Sequence, residues 1–364
     1  MEQRADGSGL VDIGYDLSGG IEPMSVSIEI SSDNGSTWDV TPDAAHLTGD
    51  VGSGITNGAG KHIVCDATAV APGVCWPEAR VRITAEETPE DMVSIPAGSF
   101  EMGDPWGEGD SDEVPVHTVT LSAYEIGKYE VTNQELCDVY NWADDQGYFS
   151  TVNASTASAY GEELLDMDDE DCQISYSGGQ FVTETRDTHS MADHPVVEVS
   201  WYGAAVYCNW LSEMDGLEPC YNTGDWTHDF TKSGYHLPTE AQWERAAAWD
   251  PTGDGEPAGA GRHYRYGQSS DSISSSNVNY NSNNPLGLSG EPYTTPVGYY
   301  AGALSPAGCF DMSGNVWEWC NDWWKRDYTT SPVTDPEGPS SGSYRVLRGG
   351  SWYGNANYCR AANR

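Results

Sequence analysis

After residue 250 the chain shows almost no helical or strand periodicity and is dominated by Gly, Ser, Asn, Tyr and Trp. A polar, turn-rich run of this length ordinarily signals disorder. Here it carries too many aromatic rings for that reading: the whole chain has Trp 14 and Tyr 21 against Phe 5. Rings with a polar edge bury apolar area and still satisfy backbone groups, which suits a loop-built fold. The pattern therefore predicts an ordered domain with little regular secondary structure, held by aromatic packing and bound ions.

Charge narrows the partners. Lys and Arg number 16 and Asp and Glu 57, a net charge of -41. Phosphate contacts need a basic face, so general nucleic-acid binding is excluded, and anionic membrane surfaces repel such a chain. The charge reads either as a solvated acidic surface suited to a salty environment or as carboxylates held for Ca²⁺. No stretch approaches the roughly 18 apolar residues that span a bilayer. The start, Met1-Glu2-Gln3-Arg4-Ala5-Asp6, has no apolar core of a signal peptide. It enters a strand pattern at once, so the true N-terminus is expected upstream. The chain has 9 cysteines and no C-x-x-C. That weakens zinc-ribbon and thioredoxin-type readings, and it points to an oxidising compartment: secreted, periplasmic or cell-surface.

Along the chain, residues 1–86 read as a small all-β, sandwich-like module. Val11, Ile13, Tyr15 and Leu17 alternate with polar residues, as do Met24, Val26, Ile28 and Ile30, and later Val81 and Ile83. Ser31 to Trp38 fits the S-x-D-x-G-x-T-W pattern of an Asp box; a single copy marks a hairpin and not a glycosidase. Cys65 and Cys75 are expected to bridge one loop. The polar run from Ala85 to Asp91 carries the linker, placed at 87–91. From Met92 to Arg364 three amphipathic helices stand out. One follows Thr132, with Thr132 and Glu135 as a capping box and Leu136, Val139, Tyr140 and Trp142 as apolar positions. One follows Ser200. One follows Thr239, with Gln242 completing the box and Trp243, Ala246, Ala247 and Trp249 inside.

Seven segments in this part resemble, in order, the sulfatase-modifying-factor family of formylglycine-generating enzymes. They are Met92 to Gly103, Pro115-Val116-His117, Lys128-Tyr129-Glu130-Val131-Thr132-Asn133, His194 to Trp201, Leu237 to Glu244, Gly314-Asn315-Val316-Trp317-Glu318-Trp319, and Arg348-Gly349-Gly350-Ser351-Trp352. The resemblance implies an α+β, C-type-lectin-like domain with little regular structure. It also implies that the domain is C-terminally incomplete, because the family closes with a further strand beyond Arg364. A chain lacking that strand is expected to be poorly soluble or to unfold without full cooperativity. The family pairs the cysteine matching Cys208 with one near its C-terminus; here Cys208 either pairs with Cys220 or stays free.

Family chemistry oxidises a sulfatase cysteine to formylglycine with O₂ and Cu(I) on two thiolates. Soft thiolates suit Cu(I). The matching positions are Gly354 and Cys359, so only one thiol is present, and the resemblance does not carry the activity. Ser351 and Trp317 match positions lining the family's oxygen and substrate pocket, which makes Cys359, Ser351 and Trp317 the candidate catalytic set. The resemblance also implies a Ca²⁺ site, held by the side chains of Asp311 and Glu318 with the carbonyls of Gly314 and Val316. Hard oxygen donors of this kind are what Ca²⁺ takes. A second family site would begin at Asn277-Val278, but Ser289 stands where a carboxylate is wanted. The iron motif H-x-x-x-H-x-E of the family's ergothioneine branch is absent; His117 and His194, each beside a proline, read as structural. The reading that follows is a non-oxidase paralogue that binds a protein or small-molecule ligand. The Tyr- and Asn-rich run Trp352 to Tyr358 has a paratope-like composition. The alternative is a copper oxidase acting on a sulfatase.

Overall fold

The computed structural model describes residues 2–3, 10–17, 24–31, 40, 42, 46–49, 51–55, 58–70, 80–87, 92–253 and 261–364. The Asp-box loop and Cys75 lie outside the described residues, as do positions 88–91 of the expected linker. The chain divides into two compact units, Met1–Gly98 with Ser122–Ile126, and Ser99–Leu121 with Gly127–Arg364.

The first unit is built from two antiparallel sheets. One orders the strands Glu2–Gln3, Leu10–Leu17, Gly58–Asp66 and Leu47–Gly49; the other orders Gly52–Ile55, Met24–Ser31 and Arg80–Glu87. Period-2 alternation sends one face of each strand inward. Ile13 pairs with Ile63, and Ile28 with Ile83. Ile13, Val26, Ile28, Ile30, Ile63 and Cys65 form the shared core. The strand Arg80–Glu87 reaches into the polar run read as linker, setting Glu87 opposite Met24. One short helix, α1, covers Ala67–Val70. The strand Met92–Ile95 pairs with Tyr124–Gly127, which brings 122–126 into this unit.

In the second unit the helices start where their caps do. Helix α2 spans Asn133–Asp145 behind the reciprocal Thr132/Glu135 box, α3 spans Trp201–Met214 behind Ser200, and α4 spans Glu240–Ala248 behind the Thr239/Gln242 box. Each cap satisfies backbone N–H groups that the first turn leaves open. Helices α2 and α3 pack with the hairpin Thr156–Ala159/Glu162–Asp166 around Tyr140, Leu164, Leu165 and Trp210, all fully buried. Trp249 departs from expectation. It ends α4 as the C-cap, with φ -91° and ψ 118°, and begins a two-residue strand. The remainder is turn-rich, as its composition suggests. The strand His117–Leu121 takes Val333–Thr334 in parallel, and Glu318–Trp323 pairs with Arg345–Arg348. Buried Asn residues take over part of the role of a sheet ladder: Asn315 N–H donates to the Asn279 carbonyl (2.8 Å), and the Thr295 N–H donates to Asn315 Oδ1 (2.9 Å). Such side chains stand in for missing ladder bonds. Among the described residues no helix is long and apolar enough to cross a membrane.

Candidate functional site

The segment from Asp311 to Glu318 coils tightly. Asp311 and Asn315 hold left-handed backbone at φ 56° and 58°, and Gly314 holds φ 84°. Gly314 has no alternative, since a Cβ there would lie 2.3 Å from the Asn279 carbonyl oxygen. The coil gathers carboxylates. Asp311 Oδ2 accepts the Gly298 N–H (2.6 Å), and burial pushes its carboxyl up to about 6. Glu318 Oε2 accepts the Trp243 indole N–H (2.9 Å), while its Oε1 is buried with no hydrogen-bond partner. Burial drives Glu318 up to about 8, against the pull of that hydrogen bond and with the Asp311 charge adding. Glu130 enters from the chain before α2 and is raised too, by burial and then by the charges of Asp311 and Glu318. Buried like charges of this kind are costly unless a cation answers them.

These donors fit a hard divalent cation. Oxygen is the only ligand type offered. A Cβ placed on Gly349, whose φ is 90°, would sit 3.4 Å from the orphaned Glu318 Oε1 and 3.7 Å from the Val316 carbonyl oxygen. Those two oxygens thus share a small space that a side chain at 349 would fill. The other possible loop does not assemble in this way: Ser289 spends its N–H (2.6 Å) and hydroxyl (3.0 Å) on Asp187.

The residues do not fit copper. Cys359 is fully buried, and burial pushes its thiol up to about 12. A thiol of that kind is neither a nucleophile nor a ready thiolate ligand. Gly354 offers no sulfur. Cys320 is equally buried, and burial raises its thiol well above the ordinary value. All eight described cysteines are buried, unbonded thiols, including Cys208 and Cys220. The two histidines read as structural are buried: His194 Nδ1 lies 2.8 Å from Thr294 Oγ1 with its ring held down to about 4 by burial, and His117 packs against Tyr328.

Ser351 and Trp317 open instead onto a cleft of about 410 Å³, whose lining excludes Cys359 and Gly354. One part of the lining is indole: Trp317, Trp319 and Trp352. Another is carboxylate: Glu163, Asp166 and Glu198. No Lys or Arg lines it. Trp319 is fixed by donating to the Val199 carbonyl (3.0 Å), whereas the buried Nε1 of Trp352 has no partner. Glu198 also groups with Asp169 and Asp171, their carboxylate oxygens within 4.8 Å of one another. Partial desolvation, then these acidic neighbours, push the exposed Glu198 carboxyl up. The sequence reading missed this acidic wall and missed Glu130. The wall's residues are scattered and have no common spacing. Glu130 stands inside a family-like motif, Tyr129-Glu130-Val131, whose buried position nothing local announces.

The sulfatase-modifying factor enzyme 1-like domain family matches residues 78–364. The formylglycine-generating enzyme of Streptomyces coelicolor is 31% identical over 312 residues, covering 80% of this chain and 86% of that protein. The corresponding enzyme of Thermomonospora curvata is 32% identical over 302 residues, covering 76% and 88%. The serine/threonine-protein kinase Pkn1 of Chlamydia trachomatis is 31% identical over 277 residues, covering 75% of this chain but 35% of the kinase, so the chain spans about a third of that relative. Among solved structures, Treponema denticola variable protein 1 superposes with a TM-score of 0.52 at 30% identity, covering 75% of this chain and 87% of that one.

Proposed function

We propose a function for this chain from the premise that it belongs to the sulfatase-modifying factor family: it is an exported, calcium-holding binding member, not an oxidase. The observation that carries the reading is the thiol pair. Position 354 is Gly, and Cys359 is shut away from the cleft with a thiol raised to about 12. Bound Cu(I) would supply oxygen activation in the family's reaction, and these residues give it a single inaccessible sulfur. Ca²⁺ is held by Asp311, Glu318 and the carbonyls of Gly314 and Val316. Its role is to neutralise and brace the coiled segment on which Trp317 stands.

The cleft's lining argues for the ligand's charge. Three carboxylates and three indoles, with no basic residue among them, favour a guanidinium or ammonium group. Such a group gains a charge-assisted hydrogen bond on one side and a cation–π contact on the other. A segment of a partner protein bearing Arg fits that lining. A sulfatase strand of C-x-P-x-R type is one example.

The test is equilibrium binding, read by tryptophan fluorescence, of a C-x-P-x-R peptide and its Arg→Gln analogue. The Arg peptide is expected to bind about 10-fold tighter, the size of one partly desolvated charged contact. Replacing Glu198 and Asp166 with Gln and Asn is expected to erase that difference. Equal binding of the two peptides to the unaltered chain would refute the cationic assignment.

A further inference from the structure

We propose that Glu130 is the positioning residue of the calcium site, clamping the coil that carries the ion's carbonyl and carboxylate donors. The inference rests on the reading of Asp311, Gly314, Val316 and Glu318 as the calcium ligands.

Glu130 belongs to a different part of the chain from the coil, 185 residues before Asn315. Its side chain is nonetheless committed to the coil on both oxygens. Oε2 accepts the Asn315 Nδ2–H at 2.6 Å, and Oε1 accepts the Val316 N–H at 3.1 Å. Asn315 is itself fixed: its Oδ1 accepts the Thr295 N–H, its N–H donates to Asn279, and its carbonyl accepts the Trp352 N–H at 2.8 Å. A carboxylate thus ties the amide side of Val316, while the carbonyl of the same residue faces the space shared with Glu318 Oε1. With both oxygens in use, Glu130 acts through the backbone it holds and through its charge.

A purely structural acceptor would not need that charge. Among the described residues no ion pair engages Glu130, Asp311 or Glu318, although buried carboxylates elsewhere in this unit, such as Glu113 and Glu244, are each paired with arginine. Glu130, Asp311 and Glu318 lie beside the small space shared by Glu318 Oε1 and the Val316 carbonyl. A carboxylate in the layer behind the ligands orients them and deepens the field at the ion, and losing such a partner weakens metal affinity by about 10- to 100-fold.

The experiment uses the full chain and measures Ca²⁺ affinity by calorimetry, with Tb³⁺ luminescence excited through the tryptophans as a second readout. Glu130→Gln is expected to weaken Ca²⁺ binding about 10- to 100-fold. Glu130→Gln combined with Asn315→Asp moves the carboxylate to the other end of the same hydrogen bond, and it is expected to recover most of the affinity. If Glu130→Gln lowers the apo melting temperature but leaves affinity unchanged, Glu130 only supports the fold and the proposal fails. Should the single variant not fold, a double variant that folds but binds weakly overturns it equally. An unaltered chain that binds no Ca²⁺ removes the ligand assignment and this proposal together. Binding that is lost in Glu318→Gln yet indifferent to Glu130 removes the proposal alone.

Discussion

Replacing Arg348 with alanine is expected to destabilise the second unit by about 3–5 kcal/mol, enough to leave it largely unfolded at physiological temperature. Arg348 is fully buried and pairs with Glu244 (Nη2 to Oε2, 2.6 Å) and Glu240 (Nε to Oε1, 3.2 Å). It also donates from Nη1 to the carbonyls of Ala361 (2.5 Å) and Asn363 (3.0 Å). Glu244 in turn accepts the Gly103 N–H (2.7 Å) and lies 3.0 Å from His263 Nε2. One guanidinium therefore joins α4, the strand Arg345–Arg348 and the segment after Cys359. Removing it leaves Glu244 in a dry interior without its arginine, while Glu240 keeps Arg364 (Nε to Oε1, 2.7 Å); an uncompensated buried charge costs more than the pair contributes when intact. Equilibrium denaturation measures this. Arg348→Leu with Glu244→Leu should be milder than Arg348→Ala alone, because fewer charges are left uncompensated.

The same pair has a pH signature. Burial would raise Glu244, but Arg348, with His263 and the Gly103 N–H, outweighs it and holds the carboxyl down to about 2. A folded-state value below the unfolded one stabilises the fold above the unfolded value, near about 4.3. That contribution disappears as pH falls from there through about 2. Acid titration of the native chain should reveal it as a loss of stability in that window.

Calcium removal is the second large effect. A ligand that binds only the folded state contributes about 2.7–4.1 kcal/mol when its concentration is roughly 100 to 1,000 times its Kd. For a domain of this size that corresponds to a fall in melting temperature of roughly 5–15 °C on chelation. Glu318→Ala should abolish the response to chelator. An unaltered chain whose melting ignores EDTA would show that the buried carboxylates are neutralised by protons instead.

What could be read in advance follows the range of the physics. Helix starts were legible because a capping box is complete within four residues, and Thr132/Glu135 and Thr239/Gln242 close as their spacing implies. Trp249 fell outside its helix because the pattern of apolar residues continues into the strand that pairs it with His263. The strands of the first unit were legible from alternation. Asp311 and Glu318 could be named together because the family resemblance covers both in one short segment. Glu130 could not, because the contact that defines it spans 185 residues. The acidic wall was hidden for the same reason: Glu163 and Asp166 lie on a hairpin strand, and Glu198 stands apart at φ 59° before α3. Arg348 and Glu244 each stand in a family-like motif, yet only folding reveals that they meet.

The central claim is that this member keeps the family's fold and has given up its thiol chemistry. It is tested most directly by incubating the full chain with Cu(I), O₂ and a C-x-P-x-R peptide, and capturing any aldehyde with an aminooxy probe. The account predicts that the peptide cysteine persists and no probe adduct forms. Gly354→Cys is the informative companion, because a Cβ there meets nothing closer than 3.4 Å. Catalytic accumulation of aldehyde by the unaltered chain would contradict the account, and would mean that Cys359 is reached and paired in a state other than the one described.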